Sequence, residues 1–267
     1  MQWELLNGRD FEQAVGDTGG ICVAPLGSLE RHGDHMSLGT DYLNAHKIAC
    51  LAAEIEPVVV FPGFYFGQVC ESMASPGTIA LKPELLMQLL RGVFDEISRN
   101  GFKKIIVLNG HGGNNAFLQF MGFSDMREPR DYTVYYKGWW ELSNEEQKQA
   151  ISADCEGRPI GHACEWETSV TMFLQGEASV NLDYAPVETS QPLDRINGME
   201  KYAFTGANWF AVCPECYMGN ARYASAERGK RYAGYSVQEV ADLFKSVKAD
   251  TALPLLQQEY YRRSQVK

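Results

Sequence analysis

The sequence contains no block of Lys or Arg longer than two residues, no long apolar stretch and only five histidines among its 267 residues. The first absence, with 24 Lys+Arg against 34 Asp+Glu and a formal net charge of −10, excludes a protein that binds nucleic acid by neutralising phosphates. The second excludes a transmembrane helix, which needs roughly 18 or more consecutive apolar residues. The opening MQWELLNGRDFEQAV is polar and lacks a basic segment followed by an apolar run. No secretion signal is therefore expected, and the chain is expected to be cytoplasmic, with neither membrane nor nucleic acid as a partner. Seven cysteines, an odd number scattered along the chain, exclude a disulfide framework and read as reduced thiols. Cys213-Pro214-Glu215-Cys216 has C-x-x-C spacing. A zinc site would need a second pair and a thioredoxin-type site an early βαβ context, so these read as free or buried thiols.

What is present is an ordinary globular composition, 45% hydrophobic and 22% charged. That suffices for the core of one α/β domain over residues 1–267. Short apolar runs alternate with amphipathic stretches, the pattern of a three-layer α/β/α sandwich around a mostly parallel sheet. Strands are expected at Ile21 to Leu26, Val58 to Phe61, Lys104 to Leu108 and Tyr132 to Tyr136. Helices are expected from Thr40 to Glu54, with Thr40 or Asp41 as N-cap, from Pro83 to Asn100 with Gly101 as a stop, and from Ser236 to Val247. The less regular stretch from Val180 to Met218 is expected to wrap the surface or an interface.

Three segments carry chemistry. The first strand runs into Gly27-Ser28-Leu29-Glu30-Arg31-His32-Gly33-Asp34-His35, after which Asp41 opens a helix. Loops at the carboxyl ends of parallel strands build ligand sites. Glu30 and His32, two apart in extended backbone, project to one side, and a carboxylate at position 41 has two oxygens with which to bridge two cations. The second segment, Asn109-Gly110-His111-Gly112-Gly113-Asn114, follows another strand but fits neither the Walker A nor the dinucleotide-binding pattern. The third, Gly161 to Ser169, offers His162, Glu165 and Glu167. Taken singly, each reads as a capping group or a hydrogen-bonded structural histidine. Together, two imidazoles and at least three carboxylates on separate loops match a divalent transition-metal centre, and suit two ions about 3.5–4 Å apart better than one.

These segments resemble the creatininase (creatinine amidohydrolase) family of binuclear metal hydrolases. Gly27 to Asp41 is similar to its Gly-Ser-x-Glu-Gln-His-Gly-Pro-His-Leu-Pro-Leu-Gly-Thr-Asp motif, Asn109 to Asn114 to its Asn-Gly-His-Gly-Gly-Asn segment, and Gly161 to Ser169 to its Gly-His-Ala-Gly-x-x-Glu-Thr-Ser segment. Ser75 to Thr78 and Ala224 to Gly229 resemble two further family stretches. The resemblance implies Glu30, His32, Asp41, His111 and Glu167 as metal ligands, with Asp41 bridging, and His162 beside the substrate. It implies two divalent ions per subunit, Zn, Mn or Fe, and a homo-oligomer, a hexamer in many relatives. The departures are Arg31, Asp34 and Met36-Ser37, and Gly113 where creatininases carry Glu, which weakens creatinine itself as the substrate.

The implied activity is hydrolysis of a small cyclic amide or related C–N compound, a metal-bridging water attacking the carbonyl. His162 would be general acid or oxyanion stabiliser and Glu165 a proton shuttle. Asp34 and Ser37 beside the site would favour a hydroxyl-rich alternative, a cyclic ketone or lactone such as an oxidised inositol. A reading from another class is a metal-binding protein without catalysis. His35 is expected to support the ligands from behind, and His46, within a helix, to be structural. Trp139 and Trp140 are expected in the core or an interface rather than over the site, and Phe204 to Tyr223 at an interface.

Overall fold

A computed structural model describes residues 1–264. Its centre is a four-stranded, wholly parallel sheet in the order β2-β1-β3-β4, formed by β1 (Ile21–Leu26), β2 (Val59–Val60), β3 (Lys104–Asn109) and β4 (Thr133–Gly138). Around it lie α1 (Gly8–Asp17), α2 (Thr40–Ile55), α3 (Pro83–Arg99), α4 (Asn114–Asp125), α5 (Glu145–Asp154), α6 (Glu165–Gln175), α7 (Asn208–Val212), α8 (Ala226–Ala249) and α9 (Ala252–Ser264). β1 and β3 are central and covered on both faces, which is why they read as near-continuous apolar runs rather than alternating ones.

Successive residues still point to opposite faces. Ile21, Val23, Ile106 and Leu108 pack with α2, α6 and α8, whereas Cys22, Ala24, Leu26, Ile105 and Val107 pack with α1, α3 and α4. The result is the three-layer α/β/α sandwich expected from the pattern. No helix among the described residues is long and apolar enough to cross a membrane.

The departures are local and have physical causes. β2 shrinks to two residues because it pairs with β1 only at Cys22–Val59 and Val23–Val60. Gly39, not Thr40 or Asp41, occupies the N-cap of α2. The Thr40 hydroxyl donates instead to the Ser37 carbonyl at 2.8 Å, and Asp41 faces inward. The helix expected from Ser236 to Val247 is the second half of the 24-residue α8, which starts behind Ser225, whose hydroxyl caps the Arg228 N–H. Gly229 disguises this first half, and the packing requires it: a Cβ there would lie 1.8 Å from the Ser169 carbonyl oxygen, so α8 and α6 approach backbone to backbone.

The sheet order places the site. The chain moves from β1 outward to β2, then returns to the other side of β1 for β3, so the crevice between the carboxyl ends of β1 and β3 is the topological switch point where open parallel sheets bind ligands. Leu26 is level with Asn109 and Asn109 with Gly138, so the loops leave the sheet at one height.

Candidate metal centre

The β1–α2 loop supplies Glu30 and His32, the first turn of α2 supplies Asp41, the β3–α4 loop supplies His111, and the first turn of α6 supplies Glu167. Glu30, His32, Asp41 and His111 are all buried, at 5% exposure or less. Asn109 shapes the second loop: its side-chain oxygen accepts from the His111 N–H and from Asn114 Nδ2, each at 3.0 Å, and its Nδ2 donates to the His111 carbonyl at 2.8 Å.

The five side chains form two overlapping sets. His32 Nε2 faces Asp41 Oδ1 at 3.1 Å and Glu167 Oε1 at 3.4 Å. His111 Nδ1 faces Glu30 Oε2 at 3.0 Å and Asp41 Oδ2 at 3.1 Å. Within each set the donor atoms lie within 4.8 Å of one another. Asp41 belongs to both and offers one oxygen to each, with Oδ2 also accepting from the Ser28 hydroxyl at 2.5 Å. The other carboxylates are held from behind: the Ser72 hydroxyl donates to Glu30 Oε1, and the Ala163 N–H donates to Glu167 Oε2 at 2.6 Å. Ala163 reaches that position with a left-handed φ of 56°, backbone strain of the kind retained at functional sites.

Three carboxylates packed this closely need positive charge. In the metal-free protein the imidazoles supply it. Burial would lower the pKa values of His32 and His111, but Asp41 with Glu167, and Asp41 with Glu30, outweigh it and hold both well above the ordinary value. Burial would raise Glu30, Asp41 and Glu167; the facing imidazoles prevail and hold all three below their ordinary values. The residues also fit a cation. His32 Nδ1 lies 3.1 Å from the Glu30 carbonyl oxygen, which can only accept, so Nδ1 carries the hydrogen. Nε2 faces two carboxylate oxygens, sealed from water and without a partner at hydrogen-bond geometry, and on giving up its proton would offer its lone pair to a cation there. A nitrogen and oxygen donor set without thiolate suits Zn, Mn or Fe.

His162 stacks on His32, with ring centroids 4.1 Å apart and planes at 27°. Its Nδ1 donates to the Cys216 carbonyl at 2.8 Å, which leaves Nε2 facing Glu30 Oε2 at 3.2 Å. Cys216 is itself left-handed, with φ 49°, so this residue serves the site through its backbone; its thiol lies against Ser75 and Ser72. Above the carboxylates opens a cavity of about 620 Å³ whose floor includes Glu30, His111 and His162, and whose walls include Gln68, Glu71 and Trp209. Gln68, Glu71 and Trp209 were not legible in advance. Trp209 lies edge-on to His162 at 5.4 Å, and its only forewarning was the aromatic content of Phe204 to Tyr223, a stretch expected at an interface. Phe204, Thr205 and Gly206 line the cavity as well.

Glu165 is a correction. It is 1% exposed and does not line the cavity, bonded instead to Arg158 at 2.6 and 3.1 Å and to Arg228 at 3.2 Å. A carboxylate locked by two guanidiniums has no route to a substrate. Glu165→Ala is expected to leave metal content unchanged and to cost about 3–5 kcal/mol, the effect of stranding buried charge partners, measured by urea denaturation. Unchanged stability with lost turnover would restore the shuttle role.

Other expectations resolve by contact. His35 bonds Thr168 Oγ1, on the residue after Glu167, at 3.0 Å. His46 is half-buried near Cys50 and Glu4. Trp139 is core, stacked on Trp166 at 5.2 Å. Asp34 is paired with Arg31 at the surface and Ser37 with Thr40. Neither lines the cavity, so neither argues for a hydroxyl-rich substrate.

Residues 4–244 match the family model described as creatinine amidohydrolase. The chain is 24% identical over 257 residues to a creatinine amidohydrolase of Pseudomonas putida, covering 90% of this chain and 94% of that one. It is 25% identical to a 3-dehydro-scyllo-inosose hydrolase of Thermotoga maritima, covering 79% and 72%. It is 26% identical to a mycofactocin precursor peptide peptidase of Mycolicibacterium smegmatis, covering 86% of each. Among solved structures, a creatinine amidohydrolase superposes with a TM-score of 0.80 at 22% identity, over 94% of this chain and 98% of that one. A structure described as creatininase Mn gives 0.79 at 22% identity, over 93% and 99%.

Proposed function

Because this chain belongs to the creatininase family of hydrolases, we propose that it is a metal-dependent hydrolase that attacks the carbonyl carbon of a small cyclic amide or related C–N compound. The observation that carries this reading is Asp41, which offers one oxygen to each imidazole, next to a cavity large enough for a small molecule that Glu30 and His111 help to line. Glu30, Asp41 and His111 would hold one divalent ion, and His32, Asp41 and Glu167 the other. When bound, such ions supply an acidified water and polarise a carbonyl oxygen.

The protein's own groups do the rest. Glu30, Asp41 and Glu167 keep their geometry through Ser72, Ser28 and the Ala163 N–H. Trp209 and Phe204 give the cavity lining two aromatic side chains suited to a flat ring. His162, with Nδ1 tied to the Cys216 carbonyl, holds or delivers a proton at Nε2 on the cavity floor. Relatives act on substrates as different as an inosose and a precursor peptide. The aromatic walls are what favour the cyclic amide.

The test is turnover of a panel of cyclic amides, formamides and cyclic ketones by Zn- or Mn-loaded protein. Hydrolysis of the amides is expected. Turnover of cyclic ketones alone would favour the oxidised-cyclitol reading, and inactivity with tight metal binding would favour a non-catalytic role. His162→Asn is expected to retain both ions and lose about 10²–10⁴-fold in turnover, the usual contribution of a positioned acid or base. Loss of an ion by elemental analysis would make His162 a ligand instead.

A further inference from the structure

An imidazole that gives one nitrogen's lone pair to a cation carries its hydrogen on the other nitrogen, and that N–H needs an acceptor. For His32 the acceptor is the Glu30 carbonyl. For His111 the nitrogen turned toward Glu30 and Asp41 is Nδ1. Its Nε2 points the other way, is sealed from solvent and meets no partner at hydrogen-bond geometry. Glu71 Oε1 stands 3.4 Å from it.

Glu71 is not there by chance of a mobile surface chain. It lies in the helical turn Cys70–Ser72, and its other oxygen accepts from Gln68 Nε2 at 2.8 Å. Gln68 is fixed in turn. Its backbone N–H donates to Asn114 Oδ1 at 2.7 Å, its Nε2 also reaches the Gly113 carbonyl at 3.2 Å, and its Oε1 accepts from the Cys70 N–H at 2.9 Å. The turn after Val69 is thereby clasped to the loop that carries His111.

Gly113 makes the room. Its φ of −61° is open to any residue, so the requirement is space: a Cβ at 113 would sit 1.9 Å from Glu71 Oε1 and 2.5 Å from His111 Nε2. A side chain at 113 would therefore displace the Glu71 carboxylate from this position and press on the His111 ring and the Gln68 carbonyl. In this sequence the glycine and the glutamate form a matched pair.

We propose that Glu71 is a positioning residue for the Glu30–Asp41–His111 set, its carboxylate taking the outer N–H of His111 and so fixing the ring with Nδ1 toward the metal position. The proposal rests on the reading of His111 as a ligand. It predicts a one-sided effect, because Glu71 touches nothing of the His32–Asp41–Glu167 set.

The test is titration of Mn²⁺ and Co²⁺ into metal-free wild type, Glu71→Ala, Glu71→Gln and Gly113→Ala, followed by calorimetry and by the visible absorption of bound Co²⁺. Wild type is expected to bind two ions. Glu71→Ala and Gly113→Ala are each expected to weaken one ion by about 10- to 100-fold, with an altered Co²⁺ spectrum for that ion and the other unchanged. Glu71→Gln, whose amide oxygen still accepts the N–H, is expected to recover part of the loss. Unchanged affinities in Glu71→Ala, with the fold intact by circular dichroism, would overturn the role of Glu71 whatever Gly113→Ala does, since a side chain at 113 also meets the His111 ring directly. Failure of wild type to bind two ions would instead overturn the metal reading on which it rests.

Discussion

Asp41→Asn is expected to weaken both metal positions at once and to remove turnover. The substitution keeps the shape of the side chain and removes the negative charge that the two sets share. Asp41 Oδ1 faces His32 Nε2 and Oδ2 faces His111 Nδ1, both at 3.1 Å. Whichever way an amide is turned, one of its two positions becomes an NH₂ aimed at an imidazole nitrogen, where a cation would be repelled. Removing one partner of a buried charged cluster costs about 3–5 kcal/mol, the equivalent of roughly two to four orders of magnitude in affinity. His111→Ala supplies the contrast, since it deprives only the Glu30–Asp41–His111 set. Elemental analysis should return near zero equivalents for Asp41→Asn and one for His111→Ala. A single equivalent in Asp41→Asn would mean that Asp41 serves one ion and not two.

Removing metal should change the sign of the protein's response to pH. In the metal-free protein His32 and His111 have raised pKa values, burial opposing the shift and the carboxylates prevailing. Their contribution to stability is complete below about pH 6.5, the value in an unfolded chain, and is lost as pH rises through the raised folded values. Glu30, Asp41 and Glu167 are depressed. Their contribution is complete above about pH 4–4.5 and is lost as pH falls through the depressed values. The stripped protein should therefore be most stable near pH 5–6 and weaken toward alkaline pH. The loaded protein should not, because metal displaces the imidazole protons and binds more tightly as pH rises. Free metal at a thousandfold excess over Kd adds about 4 kcal/mol, on the order of 10 °C in Tm for a chain of this size. Calorimetry with and without chelator should show a gap that widens from pH 6 to pH 9. A gap that narrowed would mean that the imidazoles are not the groups that give up protons.

Much of the site was legible because its donors follow strands. Glu30, His32 and His111 stand in glycine-rich turns directly behind the two central strands, and Asp41 opens the next helix, so chain order alone put them at one sheet edge. Glu165 and Glu167 mark where legibility stopped. Two residues apart on a helix of 3.6 residues per turn, they point about 200° apart, so only one could face the crevice, and local sequence did not say which. The resemblance picked Glu167 as ligand and left Glu165 a role that its two arginines preclude. Gln68, Glu71 and Trp209 come from irregular segments with no period to read. The Cys216 carbonyl is a backbone group, which no residue type announces. The first half of α8 was hidden for a related reason, since Gly229 reads as a helix breaker until the backbone of α6 is seen lying against it.

The spread of the donors along the chain also gives the two positions different birthdays. During synthesis Glu30, Asp41 and His111 are all present once residue 111 has been joined, whereas Glu167 follows 56 residues later. At about 5–20 residues per second that interval is roughly 3–11 s. For those seconds the nascent polypeptide owns one full donor set and two-thirds of another, with acidic side chains destined for burial and no partner helix to close over them. On the proposed ligand assignment, an ion captured then would help hold β1 and β3 side by side before α6 exists.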